Sequence, residues 1–442
     1  MQPEHRAQPG SQPGGWGSGQ QYGQPAGQPA ARAASRPDGS SAGQGTAASA
    51  QQPPSVPPQV DPQTAGAGSM PTTSSRMTVP GYPSGPAAPA EEKVDTGPLP
   101  SRETLRREAR AASSRRGAGD ADVERAGELL KSVANIFSQR VVGQEQLRRA
   151  LVTALMSSGH ILLEAVPGLA KTTAAQTLAS AVSGSFRRIQ CTPDLMPNDI
   201  VGTQILNSST GEMTTQLGPV HANIVLLDEI NRSSAKTQSA MLEAMQERQT
   251  SIGGVVYPLP HPFMVLATQN PIEEEGTYVL PEAQMDRFLM KEVLTYPRPS
   301  EEADVLDRIS NGTFDQPVTG RPISTDDVEW LQRAAERVYV DPVIKQYIVA
   351  LINTSRGGGP RPVPGLDRQV RVGASPRGGI ALMKVAQAVA LQEGRTYVIP
   401  DDVRLLRHGV LRHRLVLTYD ALADGVAPEA IIDAIFAAVP TP

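Results

Sequence analysis

The sequence predicts an α/β fold: a parallel sheet wrapped by helices, followed by a smaller all-helical domain and preceded by a long tail. Three observations predict it. Between residues 121 and 297 short apolar strands alternate with stretches of helical periodicity, the pattern of strands that run parallel through crossover helices. From residue 298 to 442 the start signals are mainly helical. Before residue 121 the composition cannot support a core.

Residues 1 to about 98 consist largely of Gln, Pro, Gly, Ser and Ala with almost no branched apolar side chains, so burial cannot offset the entropy of ordering them. They are read as disordered. The arginine-rich "SRETLRREARAASSRRGAGD" that follows reads as a solvated linker and completes a tail of residues 1–120. The 40 Gly and 40 Pro of the 442 residues are accordingly a local dilution of an ordinary core. A net charge of −4 gives no basic excess that would draw the chain onto nucleic acid or an anionic membrane, so no nucleic-acid partner is expected. The single cysteine, Cys191, excludes an internal disulfide, and "MQPEHRAQPG" lacks the basic and apolar regions of an export signal. Because no apolar run approaches the roughly 18–20 residues of a membrane span, the expectation is a cytoplasmic protein without membrane insertion.

In chain order, "DVERAGELLKSVANIFSQRVVGQEQLRRALVTALMSSG" repeats its apolar residues every three or four positions, as amphipathic helices do. The strands predicted next are "HILLEA", "FRRIQC", "ANIVLLDE" and "FMVLATQNP", with helices after Lys171 and from about Ser234 to Gln249. The turn signal "SSTGE" inside "GTQILNSSTGEMTTQLGPV" predicts one β-hairpin, and Gly253-Gly254 in "SIGGVVYPLP" a second. Helix starts in the last domain are predicted at "SEEADVL", "STDDVEWL" and "PDDVRLL".

The chemistry concentrates in "LLEAVPGLAKTT", residues 162–173, which has the length and Lys-Thr ending of a phosphate-binding loop but carries Ala165 and Ala170 at the glycine positions. In such a loop backbone N–H groups meet the phosphates, a role for Ala165, Val166, Gly168, Leu169, Ala170 and Thr173, while Pro167, which has no N–H, shapes the loop that lines the nucleotide. Lys171 reaches the terminal phosphates and the Thr172 hydroxyl coordinates Mg²⁺. Alanine replaces glycine freely unless the backbone is left-handed, where it costs about 1–2 kcal/mol. Gly168, after Pro167, answers the strongest local need for glycine. In "NIVLLDEINR" four apolar residues deliver Asp228 and Glu229 to the end of a buried strand, where Asp228 would hold the Mg²⁺ shell and Glu229 would polarise the attacking water. Asn270 ends another buried strand, "MVLATQNP", placed to hold that water or the γ-phosphate.

Further blocks, "VVGQEQ", "EAVPGLAKT", "CTPDLMPNDIVGT", "GPVHANIVLLDEINRSSAKTQSAMLEAMQERQ", "ATQNPIEEEGTYVLPEAQMDRFLM" and "GASPRG", occur in the order and wording of the MoxR family of AAA+ ATPases, which the chain resembles from about residue 121 to its end. Ala170 resembles the family's usual residue there, whereas Ala165 departs from its glycine. The resemblance implies an ATP-hydrolysing enzyme with ATP and Mg²⁺ as cofactors and a hexameric homo-oligomeric ring. It places Gly143 and Gln144 of "VVGQEQ" at the nucleotide, Asn270 as sensor 1, Arg287 as the arginine finger entering a neighbouring subunit's site, and Arg377 as the sensor 2 arginine of the lid. It identifies the first hairpin as the helix-2 insertion that faces a ring axis, and implies chaperone-like remodelling of client proteins together with proteins that carry a von Willebrand factor A domain. Two other readings stay open: the motor subunit of a metal chelatase, and a nucleotide-gated scaffold with negligible turnover.

Other patterns carry less. His408 and His413, on a basic stretch, read as a solvated face; Ser233 to Lys236, "SSAK", lacks the companion motifs of a Ser-Lys nucleophile; Met241 and Met245 read as a stripe packed on the sheet. "RGGGPRPVPG", residues 356–365, reads as a lid loop.

Overall fold

In the computed structural model, which describes residues 117–271 and 278–442, the chain enters through α1 (Asp120–Arg140) and α2 (Glu145–Met156). Ala126, Val133, Ile136 and Phe137 of α1 are buried at helical spacing, and Asp120 and Asp122 stand at its positive N-terminus. The predicted tail lies outside the described residues up to residue 116, as do residues 272–277 of the "ATQNPIEEEGTY" block.

Then follow β1 (Ile161–Glu164), α3 (Lys171–Ala181), β2 (Phe186–Gln190), α4 (Pro197–Val201), the hairpin β3 (Gly202–Leu206) and β4 (Met213–Leu217), β5 (Ile224–Asp228), α5 (Ala235–Glu247), the hairpin β6 (Gln249–Ile252) and β7 (Val255–Pro258), β8 (Met264–Gln269), α6 (Glu282–Met285) and β9 (Met290–Val293). Five of these strands form a parallel sheet in the order β2-β5-β8-β1-β9. All five residues of β5 are buried, and the four before Asp228 are apolar because the strand is covered on both faces. Side chains alternate between two cores: Ile161, Leu163, Ile224, Leu226, Met264 and Leu266 face α1 to α3, while Leu162, Val225, Leu227, Val265 and Ala267 face α5. Met241 and Met245 belong to the second core, so the methionine stripe does pack on the sheet.

Both hairpins form where the turn residues predict them. Gly253 and Gly254 adopt φ of 60° and 83°, the left-handed pair that joins two strands through two residues. Ile205, Leu206, Met213, Val255 and Val256 are exposed along the hairpins.

The remaining elements are α7 (Pro299–Ser310), α8 (Thr325–Glu336), α9 (Pro342–Thr354), α10 (Leu366–Gln369), β10 (Val370–Val372), α11 (Pro376–Gln392), α12 (Pro400–Leu405), α13 (Arg407–Leu411), β11 (Val416–Leu417), α14 (Tyr419–Ala423) and α15 (Pro428–Ala438). This is a helical lid that also carries one short antiparallel pair, β10 with β11. Ser324 caps α8, as "STDDVEWL" predicts. "SEEADVL" misplaces the start of α7: the cap is Arg298, whose N–H donates to Glu301, and Ser300 lies inside the helix, because Pro299 already fixes a helical φ. No helix of the described residues is long and apolar enough to cross a membrane.

Candidate nucleotide site

The carboxyl ends of β1, β5 and β8 emerge along one edge of the parallel sheet, where open α/β folds bind ligands. The loop between β1 and α3 begins there. Ala165 is buried and its N–H donates to the Gln269 carbonyl at 3.2 Å, with no left-handed backbone, so alanine fits that position. Ala170 is left-handed, at φ 54° and ψ 25°, and therefore bears the methyl clash that glycine would avoid. Gly168, at φ 89°, is the loop's other left-handed residue. The Lys171 ammonium donates to the Ala165 carbonyl at 2.9 Å and lies 3.5 Å from that of Val166, curled back over the loop.

Beside the loop is a cavity of about 750 Å³, within the 300–1,000 Å³ of small-molecule sites. Pro167 to Ala170 and Thr173 form one wall, Arg140, Val141, Val142 and Gln144 a second, and Tyr296, Leu306 and Phe314 a third. Gln144 lines the same cavity as the loop; Gly143 lies between two lining residues, at φ 69° with Glu301 against its α-carbon.

At the end of β5 Asp228 is 8% exposed and closely held. The Thr268 hydroxyl donates to its Oδ1 at 2.7 Å, and Arg188 reaches its Oδ2 through Nε at 3.0 Å and Nη2 at 2.6 Å. The same Thr268 hydroxyl accepts the N–H of Glu229 at 2.9 Å, so one side chain of β8 aligns both acids. Glu229 itself is left-handed, at φ 58° and ψ 53°, a strained conformation of the kind that collects at functional sites. Its Oε2 accepts from Gln190 at 3.1 Å and Arg232 at 3.2 Å, and Gln190 in turn accepts from Arg188 at 2.8 Å. The acid pair, Arg188 and Gln190 thereby close a polar circuit across the β2–β5 register, in which Gln190 pairs with Asp228. Beneath it the Cys191 thiol is pushed up to about 12 by burial, with both acids adding to the shift, so it stays protonated and unreactive. Asn270, 8% exposed, follows β8 between the loop strand and the acid strand.

No group of three or more His, Cys, Asp or Glu among the described residues could hold a metal by itself. A magnesium ion shared with phosphates needs only one or two protein oxygens and takes the rest from substrate and water, and Thr172 and Asp228 carry oxygens of the kind that would hold it.

Arg287 and Arg377 lie elsewhere. Both are exposed and both line a cavity of about 290 Å³ between the end of α5, the segment after α6 and the start of α11. None of residues 165–173 lines it. Arg248, Lys384 and Arg414 add to its positive charge, and Asp286 is its one carboxylate. Burial lowers Arg414 to about 10, against the raising effect of Asp286, so it remains charged at neutral pH.

Comparison with known proteins accords with this geometry. A profile described as "ATPase family associated with various cellular activities (AAA)" matches residues 160–290, and an "AAA lid domain" profile matches residues 366–435. Chaperone MoxR1 of Mycobacterium tuberculosis is 48% identical over 302 residues, 68% of this chain and 79% of that protein. The chain belongs to the MoxR family of AAA+ ATPases. Protein MoxR of Methylorubrum extorquens is 31% identical, covering 69% of this chain and 93% of its own length. YeaC of Bacillus subtilis, a protein of uncharacterised function, is 45% identical over 71% of this chain and 95% of itself. A crystal structure from Cytophaga hutchinsonii, provisionally described as an ATPase, superposes with a TM-score of 0.67 at 40% identity over 76% of this chain and 99% of that one.

In this MoxR-family chain the strand-end motifs were readable one at a time; their supports were not. Arg188 and Gln190 sit in "FRRIQC", and Thr268 in "ATQN", with no local pattern to mark them. The available signal was parity: Arg188 and Gln190, two apart on a strand, share a face, and Gln190 lies opposite Asp228. One expectation is corrected. His413 is no solvated residue but 6% exposed, with Nε2 against the Phe288 carbonyl at 3.2 Å, because its stretch turns under the loop that carries Arg287; His408 pairs with Asp433.

Proposed function

We propose that the chain hydrolyses ATP in a homo-oligomeric, hexameric ring and uses the cycle to remodel client proteins. The observation that carries the reading is the division of the candidate residues into two places. The loop, the acid pair and Asn270 share one sheet edge, while Arg287 and Arg377 share a cavity that no loop residue lines. A lone subunit so arranged holds half of a phosphoryl-transfer site at each end, and a neighbour's arginines complete the other half.

In the proposed site Lys171 leaves the Ala165 carbonyl, a neutral acceptor, for phosphate oxygens that attract its charge more strongly. Thr172 and Asp228 hold the Mg²⁺ that, when bound, neutralises charge on the phosphates. For Asp228 to turn to that cation, Arg188 must loosen its grip on Oδ2. Glu229 polarises water and Asn270 fixes its position, while the neighbour's Arg287 and Arg377 grip the oxygens that gain charge as the bond breaks. Domain boundaries near residues 120 and 297 fit this division, with residues 121–297 carrying the chemistry and 298–442 the lid. The exposed apolar residues of the two hairpins are the surface on which a client, or a von Willebrand factor A domain partner, docks.

Two variants test the activity. Lys171→Ala should lose ATP binding, whereas Glu229→Gln should bind ATP with near-native affinity and turn it over at least 100-fold more slowly, because a carboxamide cannot accept the water's proton. Turnover at the wild-type rate in Glu229→Gln would remove the role given to that residue.

A further inference from the structure

Arg287 and Arg377 come from different parts of the chain, one between α6 and β9, the other on the first turn of α11, yet they meet in one cavity. What ties them is Asp286. Its Oδ1 accepts from Arg414 Nε at 2.8 Å and its Oδ2 accepts from the Ser375 hydroxyl at 2.8 Å. Ser375 is the N-cap of α11 and accepts the backbone N–H of Arg377 at 3.1 Å. A single carboxylate therefore joins the residue before one arginine to the cap that orients the other.

The remaining donors of Arg414 go mainly to the same loop. Its Nη2 donates to the Phe288 carbonyl at 2.7 Å and lies 3.4 Å from that of Asp286; its Nη1 donates to Leu289 at 3.1 Å and to Val410. The Arg414 side chain is 2% exposed, and an added Cβ on Gly378 of α11 would stand 3.2 Å from its Cδ. The planar guanidinium thus fixes the backbone on both sides of Arg287 while α11 packs on its stem. Arg287 and Arg377 keep their own guanidinium groups exposed, so the clamp holds their bases and leaves their tips to a ligand.

We propose that Asp286, Ser375 and Arg414 are positioning residues that lock Arg287 and Arg377 into one rigid unit, so that both arginines reach a neighbour's triphosphate together. This rests on the reading that the two arginines act in trans. An interaction that places charge to within an ångström governs turnover more than affinity.

The test is steady-state ATPase kinetics on the full chain, with Ser375→Ala as the mild variant, Ser375→Thr as the conservative one and Asp286→Asn as the second disruption. Ser375→Ala should lower kcat roughly 10- to 100-fold with KM changed less than about threefold, and Ser375→Thr should restore it. Introduced into an Arg287→Ala, Arg377→Ala background, Ser375→Ala should cause no further loss, since nothing is left to position. Asp286→Asn should show the same kcat loss and the same silence in that background. An undiminished kcat in Ser375→Ala and Asp286→Asn, or a loss that repeats in full in the arginine-free background, overturns the clamp. If Arg287→Ala and Arg377→Ala themselves keep wild-type kcat, the trans reading falls first and takes the clamp with it; if they lose activity while the clamp variants do not, only the clamp falls.

Discussion

Ala170 sits one residue before the loop lysine with a left-handed backbone, which for an L-residue other than glycine costs about 1–2 kcal/mol. Glycine there would relieve the clash but add freedom to the unfolded chain, worth about 0.5–1 kcal/mol in the other direction. Ala170→Gly should therefore raise unfolding free energy by roughly 0.5–1 kcal/mol, read as a higher denaturant midpoint at constant slope; a lower midpoint would mean that the methyl packs favourably. Glu229 bears similar strain at φ 58°, yet there Thr268 accepts its N–H, and Gln190 and Arg232 donate to its carboxylate. The loop, the acids and Asn270 were legible in the sequence because each lies at or just beyond the end of a short, largely apolar strand. Thr268 and Arg188 were not, because their importance comes from which strand lies beside which. Nothing within "FRRIQC" says that β5 will be its neighbour.

Elements were the most legible scale, since burial forces period 2 or 3.6 on the sequence and turn chemistry punctuates it. The edge strand β9, with its charged Lys291 and Glu292, and the short β10–β11 pair were not predicted, but the other four strands of the parallel sheet and both hairpins follow that rule. α7 did not, because a proline outranked a serine as the start signal. His160 shows how elements are fastened together. It precedes β1, accepts the N–H of Val265 in β8 on Nδ1 at 3.0 Å and points Nε2 at the Met245 carbonyl of α5 at 3.1 Å. Those contacts require the neutral ring. Burial first, then the charge of Arg248, lowers its pKa from 6.5 to about 4. Between these values the unfolded chain binds a proton that the folded one excludes, so stability falls as pH drops from 6.5 towards 4, by up to about 3 kcal/mol from this residue. His413, lowered for the same reason, adds in the same direction. Denaturant midpoints measured across this range should fall with acid, and His160→Gln should flatten part of the fall; an equal slope in that variant would assign the acid sensitivity elsewhere.

For the whole molecule, the main core among the described residues begins at Ala118 and continues along α1 with Val133, Ile136 and Phe137. Removing residues 1–100 should consequently leave ATPase turnover and melting temperature within error of the full chain, and a drop of several degrees would show that the tail contributes to the fold. What sequence motifs could not convey is that two arginines 90 residues apart open onto one cavity that no loop residue lines. On the proposed function, that separation makes assembly part of the mechanism. The most direct measurement mixes two crippled proteins, Lys171→Ala, which keeps its arginines but binds no ATP, and Arg287→Ala, which binds ATP but offers no finger. Each alone should be nearly inactive, and ATPase activity should reappear on mixing, highest near equal proportions, as sites of the second protein receive Arg287 from the first. Mixtures as inactive as their parents at every ratio, with mixed assembly verified, would contradict the account.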